Sequence, residues 1–124
     1  MNDLSIIIVN YNSGSILETL VDYLLQTLTM AEVILVDNNS LDRSADFATQ
    51  LPGVHLISQS NNIGFGSAAN IGAAAANRPL LLFLNPDCFP NSDAISEMAK
   101  VLESDNNAGL CGARLLDFNG KEQL

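Results

Sequence analysis

The stretch LSIIIVN, Leu4–Asn10, decides the fold. Its apolar residues are consecutive and mostly β-branched, so both faces of the strand must be covered, as in parallel sheets packed between helices. After a YNSGS turn, apolar positions recur at helical spacing over residues 16–28, with Ser13 or Ser15 as the N-cap. The start of the chain therefore predicts a buried strand followed by a crossover helix.

The alternation of strand and helix continues along the rest of the sequence. Further strands are predicted at residues 33–36, 54–58, 80–85 and 108–114, and further helices at residues 42–51, 67–77 and 94–104. This order is typical of an α/β fold: a doubly wound, mostly parallel sheet flanked by helices and joined by right-handed crossovers. We predict a single domain over residues 1–124, without repeats or linkers.

The composition argues against several classes of protein. The net charge is −9 and the five Lys and Arg residues are scattered, whereas nucleic-acid binding needs clustered basic side chains. The longest apolar run is too short for a membrane span, and the N-terminus does not resemble a signal peptide. The two cysteines have no metal-ligand spacing. We expect a cytoplasmic protein, and any peripheral membrane association of the full-length protein would come from other residues.

Polar residues stand at the carboxyl ends of the first four predicted strands. In an open parallel sheet these ends share one crevice, which is where ligands bind. We therefore expect a nucleotide site there, with Asp87 facing a metal ion. The predicted nucleotide-binding residues are Asn10, Tyr11, Asn12, Asp37, Asn39, Asn62, Gly64, Asn70 and Asn85.

Two carboxylates carry the chemistry expected at this crevice. Asp37 closes an apolar strand and can accept a hydrogen bond from a base imide or a ribose hydroxyl, although alone it is equally a turn or helix cap. Asp87 offers the hard oxygen that Mg²⁺ and Mn²⁺ favour, although alone it belongs to an ordinary turn after Pro86. One carboxylate makes a weak metal site, so the nucleotide phosphates must supply further ligands.

The glycine-rich turn NNIGFG suits an anion. Gly64 and Gly66 allow close backbone approach before a helix N-terminus, and helix entry is the alternative reason for them. Asn62 and Asn70 either contact the ligand or hold this turn together. Gly72 comes too late for the GxGxxG pattern, which disfavours a dinucleotide-dependent dehydrogenase.

Four motifs in order resemble family 2 glycosyltransferases of the GT-A fold, and most closely bacterial rhamnosyltransferase-like members. They are SIIIVNYNSG (5–14), VILVDNNSLD (33–42), NNIGFGSAANIG (61–72) and LLFLNPD (81–87). The resemblance implies that Asp37 contacts the nucleoside base, with Tyr11 and Asn12 nearby. It also implies that Asp87 is the metal-facing member of a DxD-like motif, in which Asn85 replaces the first Asp of many relatives.

The resemblance further implies inverting transfer, in which a carboxylate base deprotonates the acceptor hydroxyl. That base lies beyond the DxD-like motif in the family, so we assign no catalytic residue and expect the base beyond Leu124. We thus expect the truncated N-terminal part of a longer enzyme, inactive alone. Its expected partners are Mg²⁺ or Mn²⁺, a dTDP- or UDP-sugar, and a glycan or lipid-linked acceptor of polysaccharide biosynthesis. An open final strand at residues 110–116 predicts self-association.

Two other functions are compatible with these residues. A stand-alone nucleotide-binding module without transferase activity fits a chain without an acceptor half. A nucleotidyltransferase shares the fold class, but it usually has a basic glycine-rich loop after the first strand, and NYNSGS contains no basic residue. The motifs favour the glycosyltransferase.

Overall fold

The computed structural model describes residues 2–123, and a parallel sheet lies at its centre. Within these residues the strands are Leu4–Asn10 (β1), Glu32–Asp37 (β2), Val54–Ser58 (β3) and Leu80–Leu84 (β4). All neighbours are parallel, in the order β3-β2-β1-β4. The chain runs from β1 outward to β2 and β3 and then crosses back to β4. The direction of winding therefore reverses between β1 and β4, and such a reversal opens a crevice at the carboxyl ends of the strands.

Helices connect these strands and follow them. They are Ile16–Thr27 (α1), Phe65–Ala75 (α2) and Ser92–Ser104 (α3). The apolar stripe predicted for α1 is buried, and it consists of Leu17, Leu20, Val21 and Leu24. Ser15 occupies the N-cap of α1 without a side-chain capping bond. Among the described residues, none of the helices has the length and apolar character needed to cross a membrane.

The two central strands are buried on both faces. On one face their side chains pack against Ala68 and Ala69 of α2, and these side chains are Ile7, Val9, Ile34 and Val36. On the other face the alternate residues are equally buried, and these are Ile6, Ile8, Val33 and Leu35. Burial without alternation is the pattern of a parallel sheet covered on both sides, so the doubly wound α/β prediction is confirmed.

Gly72 determines how closely α2 approaches the sheet. A Cβ atom at Gly72 would lie 2.5 Å from Cγ2 of Ile7 and 3.2 Å from Cγ2 of Val36. We expect Gly72→Ala to destabilise the protein by about 1–3 kcal/mol, because an added methyl group forces packed neighbours to move. Gly66→Ala in the same helix is the matched control, since a Cβ there meets no atom within 4 Å. Urea unfolding compares the two variants, and equal stabilities would contradict this packing.

Glu32 forms hydrogen bonds with Asn77, in the segment that leads into β4. Its carboxylate accepts hydrogen bonds from the Ser5 hydroxyl and from Asn77, whose backbone N and Nδ2 lie 2.9 and 2.7 Å away. Partial burial acts to raise the pKa of Glu32. The hydrogen bonds from Asn77 and Ser5, with the nearby charge of Arg78, outweigh that effect, and the pKa is lowered.

This lowered pKa predicts a pH dependence of stability. The hydrogen bonds of Glu32 stabilise the fold above the pKa of an unfolded glutamate, about 4.3, and are lost as the pH falls through the lower folded pKa. We expect Glu32→Gln to unfold at a lower temperature than the wild type at pH 7, with a smaller difference at pH 3. A difference that stays constant across this range would show that the ionised form contributes nothing.

The helix predicted over residues 42–51 forms only in part, as the 3-10 helix Asp46–Gln50. The backbone N of Ser44 donates to Oδ1 of Asp42 at 2.9 Å, and Arg43 has a φ of 61°. Local side-chain bonds of this kind compete with helix formation, and a left-handed residue interrupts a right-handed helix. The segment therefore remains a loop until residue 46.

The chain divides into two compact units, the first ending at Phe89 and the second beginning at Pro90. In the second unit the side chain of Asn91 caps α3 by accepting a hydrogen bond from the backbone N of Asp93 at 2.8 Å. The sequence predicted this helix from residue 94, with Asp93 opening it. The structure begins it at residue 92.

The final predicted strand is wrong. Residues 108–114, and the extension of this candidate to residue 116, contain no strand, and a single isolated bridge joins Leu116 to Glu122. Gly109 and Gly112 interrupt the apolar run, and glycine weakens strand formation. The self-association prediction depended on this strand, so it stays a prediction without its original basis.

Candidate functional site

A pocket of about 380 Å³ opens where the winding of the sheet reverses. Its lining comes from the segments that follow β1, β2, β3 and β4, and includes Tyr11, Asn38, Asn62, Gly64, Phe65 and Asn85. Polar groups that are far apart in sequence thus meet at the carboxyl edge of the sheet. Of the residues that the sequence assigned to the site, four line this pocket: Tyr11, Asn62, Gly64 and Asn85.

Asn38 was missed by the sequence analysis, and it organises one wall of the pocket. Its side chain is 2% exposed. Nδ2 donates to Oδ1 of Asn62 at 2.8 Å, and Oδ1 accepts from the backbone N of Ile63 at 3.0 Å. Oδ1 of Asn62 also accepts from the backbone N of Gly64 at 2.9 Å. Asn62 therefore holds the turn after β3 together, and Asn38 ties that turn to the end of β2.

Gly64 provides the entry into α2. Its φ of 85° lies in a region that residues with a side chain rarely adopt. It occupies the N-cap position and contributes no capping side chain. The N–H groups in the first turn of a helix lack partners within the helix, so this end of α2 is suited to an anion. Helix entry and anion binding are compatible roles for the same glycine.

Phe65 also lines the pocket and was not among the predicted site residues. It begins α2 and is 57% exposed, while Tyr11 after β1 is 50% exposed. Two aromatic side chains thus add apolar surface to a pocket that also presents the amide side chains of Asn38, Asn62 and Asn85. The available signal was an aromatic residue between two glycines, inside the turn that the sequence already assigned to the site.

Asp37, which is partly buried, pairs with Asn10 at the ends of neighbouring strands. Asn10 is fully buried, and its Nδ2 lies 2.8 Å from Oδ1 of Asp37. The other carboxylate oxygen of Asp37 accepts from the backbone N of Ser40 at 3.2 Å. Asp37 therefore does cap the turn after β2. It does not line the pocket, but it immediately precedes Asn38, which does.

Asn12 and Asn39 shape the loops beside this pair. Both have left-handed backbones, with φ of 53° and 65°. Oδ1 of Asn12 accepts hydrogen bonds from the backbone N of Leu41 at 2.7 Å and of Asp42 at 3.3 Å. The side-chain oxygen of Asn12 therefore joins the loop after β1 to the loop after β2.

The turn after β4 holds the candidate metal ligand. The backbone N of Cys88 donates to the carbonyl oxygen of Asn85 at 3.1 Å and closes the turn. Asp87 is exposed, and its carboxylate accepts no hydrogen bond from the described residues. Burial, and then the charge of Asp87, raises the pKa of the Cys88 thiol. Asn70 is exposed on α2 and, like Asp87, lies outside the pocket lining.

The donor set of this turn fits a cation only with help from a bound molecule. Within residues 2–123 no three His, Cys, Asp or Glu side chains are grouped closely enough to hold a metal ion. A single carboxylate leaves most coordination positions of Mg²⁺ or Mn²⁺ to water and phosphate oxygens. The residues present are therefore compatible with a metal that arrives with a diphosphate.

In a parallel α/β sheet, ligands bind at the carboxyl edge where the winding reverses, and the pocket lies at this place. The family model for glycosyl transferase family 2 matches residues 5–123. The chain belongs to this family, as the resemblance of its four motifs predicted.

Known relatives and solved structures agree with this assignment. The chain is 31% identical over 124 residues to the low-salt glycan biosynthesis hexosyltransferase Agl10 of Haloferax volcanii, covering 97% of this chain and 39% of the relative. It is 26% identical over 116 residues to the O-antigen chain rhamnosyltransferase RfbN of Salmonella typhimurium, covering 90% and 37%. Its fold is similar to that of the mannosyltransferase PcManGT from Pyrobaculum calidifontis, solved in complex with GDP-Man and Mn²⁺. That match has a TM-score of 0.75 and 21% identity, over 86% of this chain and 34% of the other.

These comparisons confirm the expected GT-A fold. The chain spans about two-fifths or less of the length of the relatives named above.

Proposed function

We propose that this chain is the donor-binding part of a glycosyltransferase and holds a nucleotide diphosphate-sugar in the pocket at the ends of β1 and β4. The observation that carries the proposal is the meeting, at one pocket of about 380 Å³, of groups from four strand ends. That volume is in the range of small-molecule sites. Membership of family 2 supports sugar transfer as the reaction of the longer protein.

The diphosphate needs a positive charge that the pocket wall does not supply. None of the described residues that line the pocket is Lys or Arg, and the chain carries a net charge of −9. The first turn of α2 offers N–H groups, but these carry only partial charge. A divalent cation is therefore the expected counter-ion, and it would stabilise the nucleoside diphosphate as the leaving group when bound.

We assign the residues of this site as follows. Asp87 is the protein ligand of the cation, and Asn85 contacts the donor through its amide. Asp37 accepts a hydrogen bond from the base. The remaining predicted residues contact the nucleotide or support those that do, and they are Asn10, Tyr11, Asn12, Asn39, Asn62, Gly64 and Asn70.

The wider assignment extends to the whole protein. We propose that residues 1–124 are one donor-binding domain of an inverting enzyme that acts on a glycan or lipid-linked acceptor. The length of the relatives supports a catalytic base outside this chain, since this chain covers 39% of Agl10. Rhamnose or another hexose is the proposed sugar, supported by the similarity to a rhamnosyltransferase and to a hexosyltransferase. Free thiols at Cys88 and Cys111 support a cytoplasmic location.

Calorimetric titration with UDP, dTDP, GDP and ADP, each with Mn²⁺ and with EDTA, tests the donor site. We expect saturable binding of at least one nucleoside diphosphate, weakened about tenfold or more by EDTA. Absence of binding by every nucleotide at millimolar concentration would overturn the proposal. Equal binding with Mn²⁺ and with EDTA would show that nucleotide binding needs no metal. It would overturn the proposed cation and favour a nucleotide-binding module.

A further inference from the structure

The side chain of Asn10 is the centre of a buried hydrogen-bond network. It is 0% exposed. Its Nδ2 lies 2.8 Å from Oδ1 of Asp37, 3.0 Å from Oγ of Ser40 and 2.8 Å from Oγ of Ser44. An amide nitrogen has two hydrogens, so three acceptors compete for two donors. Asn10 therefore joins the end of β1 to two positions in the loop after β2.

The carboxylate of Asp37 fixes which way this amide points. In the reversed orientation the oxygen of Asn10 would lie beside a carboxylate oxygen, and two acceptors would repel each other. The two serine hydroxyls accept either orientation, because a hydroxyl both donates and accepts. The contact with Asp37 is thus the one that makes the orientation of Asn10 unique.

This orientation leaves Oδ1 of Asn10 buried and without a hydrogen-bond partner among the described residues. A buried acceptor without a partner lowers stability, and most buried polar atoms in proteins are paired. An apolar side chain here would continue the apolar run of β1, but it would leave Oδ1 of Asp37 without its amide donor. The asparagine at this position therefore serves the polar groups around it, and Asp37 is the charged one that it contacts directly.

The network continues to a second carboxylate. The side chain of Ser44 is hydrogen-bonded to Asp42, which can only accept, so the hydroxyl donates. Oδ2 of Asp42 also accepts from the backbone N of Gly14 at 2.9 Å. The hydrogen bonds from Ser44, and then that from Gly14, hold the pKa of Asp42 below its ordinary value. Through Ser44 and Asp42, the side chain of Asn10 is thus linked to the loop after β2 and to Gly14 in the loop after β1.

We propose that Asn10 is a positioning residue that orients the carboxylate of Asp37 for recognition of the nucleotide base. Its Nδ2 donates to one oxygen of Asp37. Within residues 2–123 the other oxygen accepts only the longer bond of 3.2 Å from Ser40, so it keeps acceptor capacity for a ligand N–H. A carboxylate held in place before binding loses less freedom when the ligand arrives. This inference rests on the proposed role of Asp37, and it predicts an effect on base selectivity and not on diphosphate affinity.

The test compares nucleotides whose bases differ in whether the ring nitrogen at the Watson–Crick edge carries a hydrogen. UDP, dTDP and GDP each present a ring N–H, whereas CDP presents an acceptor nitrogen. The measured quantity is the ratio of the dissociation constant of CDP to that of the tightest of the other three, in the presence of Mn²⁺. Mn²⁺–pyrophosphate serves as a probe without a base.

Asn10→Leu keeps a similar volume and removes the donor. We expect the selectivity ratio to fall about tenfold, to the value found for Asp37→Asn, with unchanged pyrophosphate affinity. The double variant should show no further fall, because both changes remove the same interaction. Ser5→Ala is the matched control: Ser5 is fully buried on the same strand, but its hydroxyl bonds Glu32 at the other end of the sheet. It should lower stability and leave the ratio unchanged.

The outcomes separate the two proposals. An unchanged ratio in Asp37→Asn overturns the role of Asp37 in base recognition, and the positioning role falls with it. A reduced ratio in Asp37→Asn with an unchanged ratio in folded Asn10→Leu overturns the positioning role alone. Asn10→Ala, which makes room for water, provides a second variant if the leucine variant does not fold, and it should show the same fall.

Discussion

Replacing Asp87 with alanine is expected to abolish Mn²⁺-dependent binding of nucleoside diphosphates while leaving the fold intact. Asp87 is exposed and its carboxylate accepts no hydrogen bond from the described residues, so its removal should change stability by less than about 0.5 kcal/mol. The binding effect is large because the described pocket lining offers no cationic side chain as a substitute. Titration with UDP or dTDP, with and without Mn²⁺, measures the loss, and thermal unfolding checks the fold.

Asp22→Ala is the control for the change in net charge. Asp22 is an exposed carboxylate on α1 and lies outside the pocket lining, so its removal should leave the Mn²⁺ effect as in the wild type. If Asp87→Ala and Asp22→Ala bind equally well, Asp87 is not a ligand of the metal.

The second large effect is expected from Asp37. We expect Asp37→Ala to weaken uridine and thymidine diphosphates by about 1–3 kcal/mol, the cost of a lost hydrogen bond to the base, and to affect adenosine diphosphate less. Titration of the three nucleotides against both proteins measures the difference. Asp37 also accepts from Ser40 and Asn10, so unfolding of the variant must be measured in parallel. An equal loss for every base, or no loss, would leave Asp37 with its turn-capping role alone.

The sheet could be predicted because its signal is local. Consecutive β-branched residues in β1 and β2 require cover on both faces of the sheet. The apolar residues of α1 recur at a spacing that places them on one face of a helix. The two errors lie where other forces decide. Residues 42–51 have helical composition, but the hydrogen bond from Ser44 to Asp42 and the left-handed Arg43 leave only the 3-10 helix Asp46–Gln50. In the segment containing Gly109 and Gly112, an apolar run was not sufficient to form a strand.

The candidate site was only partly predictable from the sequence. Strand ends are visible in a sequence, so residues such as Tyr11 and Asn85 could be placed near a common edge before the structure was known. Hydrogen bonds between residues distant in sequence could not be predicted. Asn38 pairs with Asn62 across 24 positions, and Asn10 pairs with Asp37 across 27. These hydrogen bonds form only when the chain folds, and neither composition nor residue spacing predicts them.

The most direct test of the proposed donor site is to map nucleotide binding onto the backbone of this chain by ¹H–¹⁵N NMR. Mg²⁺ replaces Mn²⁺, which would broaden the signals, and UDP, dTDP and GDP are titrated in turn. We predict that the amide shifts of the best binder concentrate at the carboxyl edge of the sheet, in residues 11–13, 37–40, 62–66 and 85–87. Shifts concentrated at the opposite edge, around Glu32 and Asn77, or along α3, would contradict the placement of the donor site at the reversal between β1 and β4.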